Sequence, residues 1–320
     1  MADRVLSWLL DSDPALRWQV ERDLAGAPES VWKATRRRVA TEGFAARLLA
    51  LQGADGQWAG GAFFPGAGFA DPEDAGPGQP WVATSPSLSL LREWGVDASA
   101  LAGTVDLLAA NSRWEYDGAP YWEGEVDWCI NAETLANGAW LGADVGSLAE
   151  RFVEHRMSDG GWNCDWVDGA TVSSFHSTIN ALRGLLAYER VVGRSAAITA
   201  ARRSGEAYLL ERRLLYVRST GAPVGLFVAR FAYPFRWPYS ALKAVDYFLS
   251  ASRFDDRAPD PLVGEAIELV RSKRRGDGTW LQDVRHPGRA WFEVDAPAGQ
   301  PSKWVTFFAR RALERWDAAA

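Results

Sequence analysis

Short turns ending in tryptophan recur along this chain, and the helical segments between them alternate in character. No other feature restricts the fold as much. The turns read Gln52-Gly-Ala-Asp55-Gly-Gln-Trp58, Asp159-Gly-Gly-Trp162 and Asp277-Gly-Thr-Trp280, with Asp117-Gly-Ala-Pro-Tyr-Trp122 as a looser version. The gap before the last turn is about two periods, which places a degenerate turn between Tyr216 and Phe235. In such a turn Asp accepts backbone donors and Gly supplies a permissive φ. Trp packs its ring on neighbouring helices while its N–H finds a partner.

Between the turns, residues 32–51, 98–110, 145–155, 195–214 and 261–273 read as amphipathic, charged helices. Residues 81–94, 128–141, 174–188, 238–250 and 302–315 read as helices that are apolar nearly all round. An amphipathic helix has one wet face, whereas an apolar one needs neighbours on several sides, so the alternation predicts two concentric layers. The expected fold is all-α, a single α/α toroid of five to six helical hairpins with inner and outer rings. Residues 1–30 form an N-terminal helical cap, with Pro14 at a helix start that tolerates it, and residues 31–320 form the toroid.

With 320 residues, 48% of them hydrophobic, the chain can bury a substantial core. A net charge of −6 argues against a general phosphate-binding surface, so nucleic acid is not an expected partner. The runs Arg36 to Arg38 and Lys273 to Arg275 sit on polar helix faces or ends, where they are solvated. Two cysteines make no disulfide framework, which suits a reducing cytosol. The N-terminus lacks the features of a signal peptide, and no apolar run approaches the roughly 20 residues of a membrane span. A soluble, cytoplasmic protein is expected. No Gly-rich phosphate loop, dinucleotide fingerprint or nucleophile elbow is present.

The only two cysteines fall beside carboxylates and upstream of one of three histidines, giving Asp127, Cys129, Cys164 and His176 as candidate metal ligands. Thiolate, imidazole and carboxylate are the donors zinc takes, with an open position in catalytic sites and four ligands in structural ones. The spacing is not that of a zinc finger, so tertiary structure has to assemble the site. The competing explanation is that the cysteines are small buried hydrophobes. In a toroid the loops before inner helices gather at one end. Asp127 and Cys129 open one such helix and His176 lies in the first turn of the next.

At these positions the chain resembles the terpenoid cyclase and protein prenyltransferase superfamily. The turn with Gln52, Asp55, Gly56 and Trp58 is similar to the repeat of squalene and hopene cyclases, and the likeness extends from about residue 40 to 316. Val126-Asp127-Trp128-Cys129 and Phe175-His176-Ser177-Thr178 resemble the zinc-binding motifs of prenyltransferase β subunits, which implies Asp127, Cys129 and His176 as zinc ligands. Cys164 is then a fourth ligand or buried filler. The acidic Asp-x-Asp-Asp run of proton-initiated cyclases is absent, as are a second barrel and a helical-repeat partner. The pattern is similar to that of stand-alone, single-barrel bacterial proteins of the squalene cyclase-like kind.

Aromatic side chains concentrate where the apolar helices start. Trp122, Trp128, Trp162, Phe175, Trp237, Tyr239, Trp304 and Phe307 are the candidate substrate-binding residues, and filling the core is their other role. Such rings could stabilise a cationic ligand by about 1–2 kcal/mol each. Asp165 is the candidate catalytic acid, since a carboxyl in an aromatic cavity has a raised pKa; turn capping is its default role. Arg230, Arg236, Lys243, Arg289 and Lys303 mark an anion or pair with Asp246, Glu293 or Asp295, and His286 reads as a solvated loop residue. Three functions follow. One is a cyclase- or transferase-like enzyme acting on a hydrophobic isoprenoid or natural product with zinc at the rim. The others are a non-catalytic binder of such a molecule and a metal-free cyclase with a non-standard acid.

Overall fold

A computed structural model describes residues 3–319. The described residues are all-α apart from one pair of two-residue strands. Its helices are α1 (Arg4–Leu10), α2 (Pro14–Asp23), α3 (Glu29–Arg38), α4 (Gly43–Leu49), α5 (Thr84–Trp94), α6 (Thr104–Asn111) and α7 (Trp128–Leu141). They continue with α8 (Gly146–Glu154), α9 (Phe175–Val192), α10 (Ala196–Leu210), α11 (Ala241–Phe254), α12 (Gly264–Ser272) and α13 (Lys303–Asp317). Strand β1 (Trp280–Leu281) pairs antiparallel with β2 (Pro301–Ser302), Trp280 opposite Ser302.

The expected helices are present, with two interruptions. Residues 32–51 divide into α3 and α4, because Gly43 adopts φ +70° and the Asp13 carboxylate accepts the Phe44 N–H at 2.8 Å. A Cβ at Gly43 would collide with that carboxylate. Residues 98–110 divide at Gly103, φ +84°, into a 3₁₀ turn and α6. Three of the apolar helices share one start: Ser174, Ser240 and Ser302 each accept a first-turn N–H of α9, α11 and α13, the arrangement that satisfies an otherwise orphan donor.

The tryptophan turns repeat one hydrogen-bond scheme. The indole N–H of Trp58, Trp162 and Trp280 donates to the carbonyl ten residues earlier, of Leu48, Phe152 and Val270. The backbone N–H of each donates to a threonine hydroxyl in the following apolar helix, Thr84, Thr178 and Thr306. The glycines before them, Gly56, Gly160 and Gly278, all have positive φ. The degenerate turn is found at Tyr216, which bridges Pro223 as Arg113 bridges Pro120.

The chain divides into two compact units. The first comprises residues up to Phe44, Leu209–His286 and Glu293 onward; the second comprises Ala45–Tyr208 and Pro287–Phe292. In the first unit, α1 and α2 pack on α13, and α11, α12 and α13 pack on one another. Arg311 of α13 lies against Phe307 and Phe308 and pairs with Asp23 of α2 at 2.9 Å and Asp246 of α11 at 2.5 Å. Burial would raise the Asp23 carboxyl, but the hydrogen bond from Arg22 and the charges of Arg311, Arg22 and Arg315 hold it down to about 2.

In the second unit α7 packs between α5 and α9, and α8 lies on α7 and α9. The contact of α7 with α9 is close because Gly184 presents no side chain. An added Cβ would lie 2.7 Å from the Ala132 carbonyl oxygen and 2.8 Å from its Cα, both backbone atoms that cannot swing aside. Gly184→Val is therefore expected to destabilise the protein by about 1–3 kcal/mol, the usual cost of overpacking. Urea unfolding checks it, and an unchanged midpoint would show that α7 and α9 can separate without cost.

Candidate functional site

The first half of the site is the loop entering α7. Asn131, in the first turn of α7, reaches back to Glu125, accepting its N–H and donating to its carbonyl, both at 2.7 Å. Gly124 turns the chain at φ +80°, where a Cβ would lie 2.4 Å from the Asn131 amide oxygen. The Glu125 carboxylate accepts the backbone N–H groups of Val126 and Asp127. Asp127 occupies the N-cap position of α7 yet makes no side-chain cap bond. Its carboxyl borders the same cleft as the thiol of Cys164.

The second half is the 3₁₀ turn Cys164–Asp168, capped by Asn163. The Trp166 indole N–H donates to the Val126 carbonyl at 3.1 Å and ties this turn to the first loop. As a result the two sulfurs of the chain meet: Cys164 Sγ lies 3.4 Å from Cys129 Sγ. The Ser177 hydroxyl donates to Cys164 Sγ at 3.2 Å, and the Asn180 amide donates to Cys129 Sγ at 3.3 Å. Both donors come from α9.

Glu125, Asp127 and Cys164 border a cleft of about 300 Å³, at the lower end of the roughly 300–1,000 Å³ of small-molecule sites. Phe63, Phe64, Trp114 and Tyr116 supply aromatic surface; Glu115, Glu125, Asp127, Asp165 and Asp168 supply carboxyl groups. Among the described residues no lysine or arginine lines it. Glu115 builds the aromatic wall, since its carboxylate accepts the N–H groups of Ala62, Phe63 and Phe64 at 2.8, 3.0 and 3.1 Å. Trp114 is buried and stacks on Tyr121, while Phe64 and Tyr116 are exposed.

Charge crowding and burial set the protonation of the cleft. Burial, then the charges of Asp165 and Asp168, push the Asp127 carboxyl above its ordinary value, and burial does the same to Glu125. The hydrogen bond with the Cys129 thiol, opposed by burial, lowers Cys164.

The structure thus brings Asp127 and Cys164 to one cleft and Cys129 against Cys164, while His176 lies in the first turn of α9 beside Ser177. The Asn180 amide donates to the His176 main-chain oxygen at 2.9 Å. Among the described residues no group of three or more His, Cys, Asp or Glu side chains is arranged to hold a metal ion. The thiols and carboxyl groups that meet here are donor types that zinc takes. Asp165 borders the cleft but is exposed, so the desolvated carboxyl there belongs to Asp127 or Glu125.

None of the eight aromatic candidates lines this cleft. Trp128 packs on Phe152, His155 and Trp166, Phe175 on Tyr208, and the Tyr239 hydroxyl bonds the Leu214 carbonyl. Trp122, Trp162 and Phe307 are buried and Trp237 is exposed. The residues sequence reasoning missed, Phe63, Phe64, Trp114 and Tyr116, lie in irregular segments. Their signal was a phenylalanine pair between glycines, outside any helical period.

A second cavity, of about 450 Å³, lies in the first unit, walled by Trp8, Phe44 and Trp304 with Asp11, Asp13 and Asp295. Lys303 donates to the Asp11 carbonyl there. Lys243 donates to the Arg236 carbonyl, Arg289 pairs with Asp74 at 2.9 Å, and Arg230 is exposed. Asp246 pairs with Arg311, Glu293 with Arg285, and Asp295 accepts the Ser302 hydroxyl.

Burial raises Asp295 from 3.8 to about 6. His286 is half-buried rather than solvated, and burial with the nearby Arg236 and Lys243 lowers it from 6.5 to about 4. The two groups act on stability with opposite sign. The Asp295 contribution is full below about pH 4 and lost as pH rises to 6, because the unfolded chain releases that proton first. The His286 contribution is full above pH 6.5 and lost as pH falls toward 4, because the unfolded chain binds that proton first. Asp295→Asn should make the melting temperature rise more steeply with pH across this interval, and His286→Gln should make it rise less or fall. Each change corresponds to about 3 kcal/mol. Profiles parallel to that of the unmodified protein would contradict these assignments.

No family model, curated protein or solved structure matches the chain. Among the described residues no helix is long and apolar enough to cross a membrane.

Proposed function

We propose that the chain is a terpenoid cyclase- or prenyltransferase-like protein that takes an uncharged or cationic hydrophobic small molecule in the cleft of its second unit. The observation that carries this is the lining, aromatic rings beside five carboxyl groups with no lysine or arginine. Aromatic faces and carboxylates favour apolar and cationic ligands, whereas an anionic diphosphate would enter against a field of its own sign. The substrate is therefore a neutral isoprenoid or a natural product of similar chemistry. The repeated tryptophan turns and serine-capped apolar helices support the two-layered α/α toroid that belongs to this proposal, and a cytoplasmic location is proposed with it.

In the metal-free form of the reading, Asp127 is the proton donor in place of Asp165. Its carboxyl is desolvated and crowded by like charge, which shifts it toward the protonated form that a proton donor needs. Zinc, where bound, would be held by Asp127, Cys129 and Cys164, with His176 as the remaining candidate, and would act as a Lewis acid. The five carboxylates favour a divalent cation in the cleft, and the two thiols favour a soft one.

Calorimetric titration with geraniol and with geranyl diphosphate tests the charge preference. The alcohol is expected to bind and the diphosphate is not. Tighter binding of the diphosphate would overturn the proposal.

A further inference from the structure

We infer that Cys129 and Cys164 form a redox-active dithiol that closes to a disulfide on reaction with small cationic or neutral disulfides. This does not depend on the function proposed above. The chain has two cysteines in 320 residues, far apart in sequence, and the fold places their sulfurs 3.4 Å apart. Each sulfur accepts a hydrogen bond from a different side chain of α9, Ser177 and Asn180. Cys164 lines the cleft, so a reagent can reach it, and Cys129 stands behind it as the resolving thiol.

The closure is two exchanges. Cys164, having given its proton to solvent, attacks one sulfur of the incoming disulfide; the S–S bond breaks and the first thiol leaves, taking up a proton. Cys129, likewise deprotonated, then attacks the Cys164 sulfur of the mixed disulfide and expels the second thiol. The protein dithiol is oxidised by two electrons and the small disulfide is reduced to two thiols. Rotation about the two side chains has only to bring sulfurs already in contact to bonding distance.

The cleft selects the oxidant by charge. Glu115, Glu125, Asp127, Asp165 and Asp168 surround Cys164 with no lysine or arginine among the lining residues. The field attracts a cationic disulfide and repels an anionic one, and salt screens both effects. Cystamine should therefore react faster than hydroxyethyl disulfide, and glutathione disulfide slowest, with the spread narrowing as salt is raised.

The test is oxidation of the full chain, with and without prior chelation, by each of these three reagents, followed by intact mass and free-thiol count. Zinc content is measured on the same samples. The expected product has lost two hydrogens, has no free thiol and carries no reagent. Checked for an unchanged melting temperature, Cys129→Ser should instead stop as a stable mixed disulfide on Cys164, and Cys164→Ser should react far more slowly. Chelated protein that keeps both thiols, or stops at a mixed disulfide with both cysteines present, overturns the inference. Reaction in the order glutathione disulfide first overturns the charge selection. Bound zinc that blocks oxidation until chelation leaves the dithiol inference standing, and oxidation of a protein without zinc removes the metal from the proposed function alone.

Discussion

Arg202→Met is expected to destabilise the protein by about 3–5 kcal/mol, the cost of removing one partner from a buried charge cluster. The Arg202 side chain is fully buried on α10. Its Nε donates to Glu189 of α9 at 2.5 Å and its Nη1 to Glu206 at 2.7 Å. Glu189 is buried as well, with the Thr199 hydroxyl on its other oxygen. Glu206 also takes Arg203 at 2.8 Å. Without Arg202, the Glu189 carboxylate keeps a charge in a place water does not reach. The double variant Arg202→Met with Glu189→Gln removes that charge and should recover most of the loss. Chemical unfolding of both variants decides. A single variant within about 0.5 kcal/mol of the unmodified protein, the range of ordinary surface changes, would show that water reaches the cluster.

Trp162→Ala should cost about 3–5 kcal/mol as well, from the cavity left by a fully buried ring. Its indole packs edge-on to Phe152 and donates to that residue's carbonyl at 3.0 Å, while its backbone N–H donates to Thr178. Gly205 of α10 comes so close that a Cβ there would lie 2.6 Å from the ring. The ring thus spaces α8, α9 and α10 from one point. Trp162→Phe should lose less, keeping most of the packing but leaving the Phe152 carbonyl without its donor. If the alanine and phenylalanine variants melt alike, the ring's size matters little and the hydrogen bond dominates.

The helices were readable because period and wet face are local properties, and so were the Asp-Gly-x-Trp turns, whose glycines adopt the φ their sequence implies. What escaped was set by tertiary contact. The break at Gly43 depends on Asp13, distant in sequence, and the association of α1 and α2 with α13 depends on packing that no period encodes. In the site, Asp127, Cys129 and Cys164 were recognisable by residue type. Their contact was not, because it is made by Trp166 reaching Val126 and by α9 donating to both sulfurs. Most of the aromatic candidates near helix starts are buried, although Trp237 is exposed and Trp304 walls the second cavity. The cleft rings sit in irregular loops, where sequence periodicity assigns no direction.

The rate at which iodoacetamide alkylates Cys164 in the reduced protein, followed by peptide mass mapping with and without saturating geraniol, tests the central claim most directly. A hydrophobic molecule occupying the cleft covers Cys164, so alkylation should slow several-fold with the alcohol and not with geranyl diphosphate. An unchanged rate with geraniol, under conditions where the melting temperature shows the fold intact, would contradict the assignment of this cleft as the binding site.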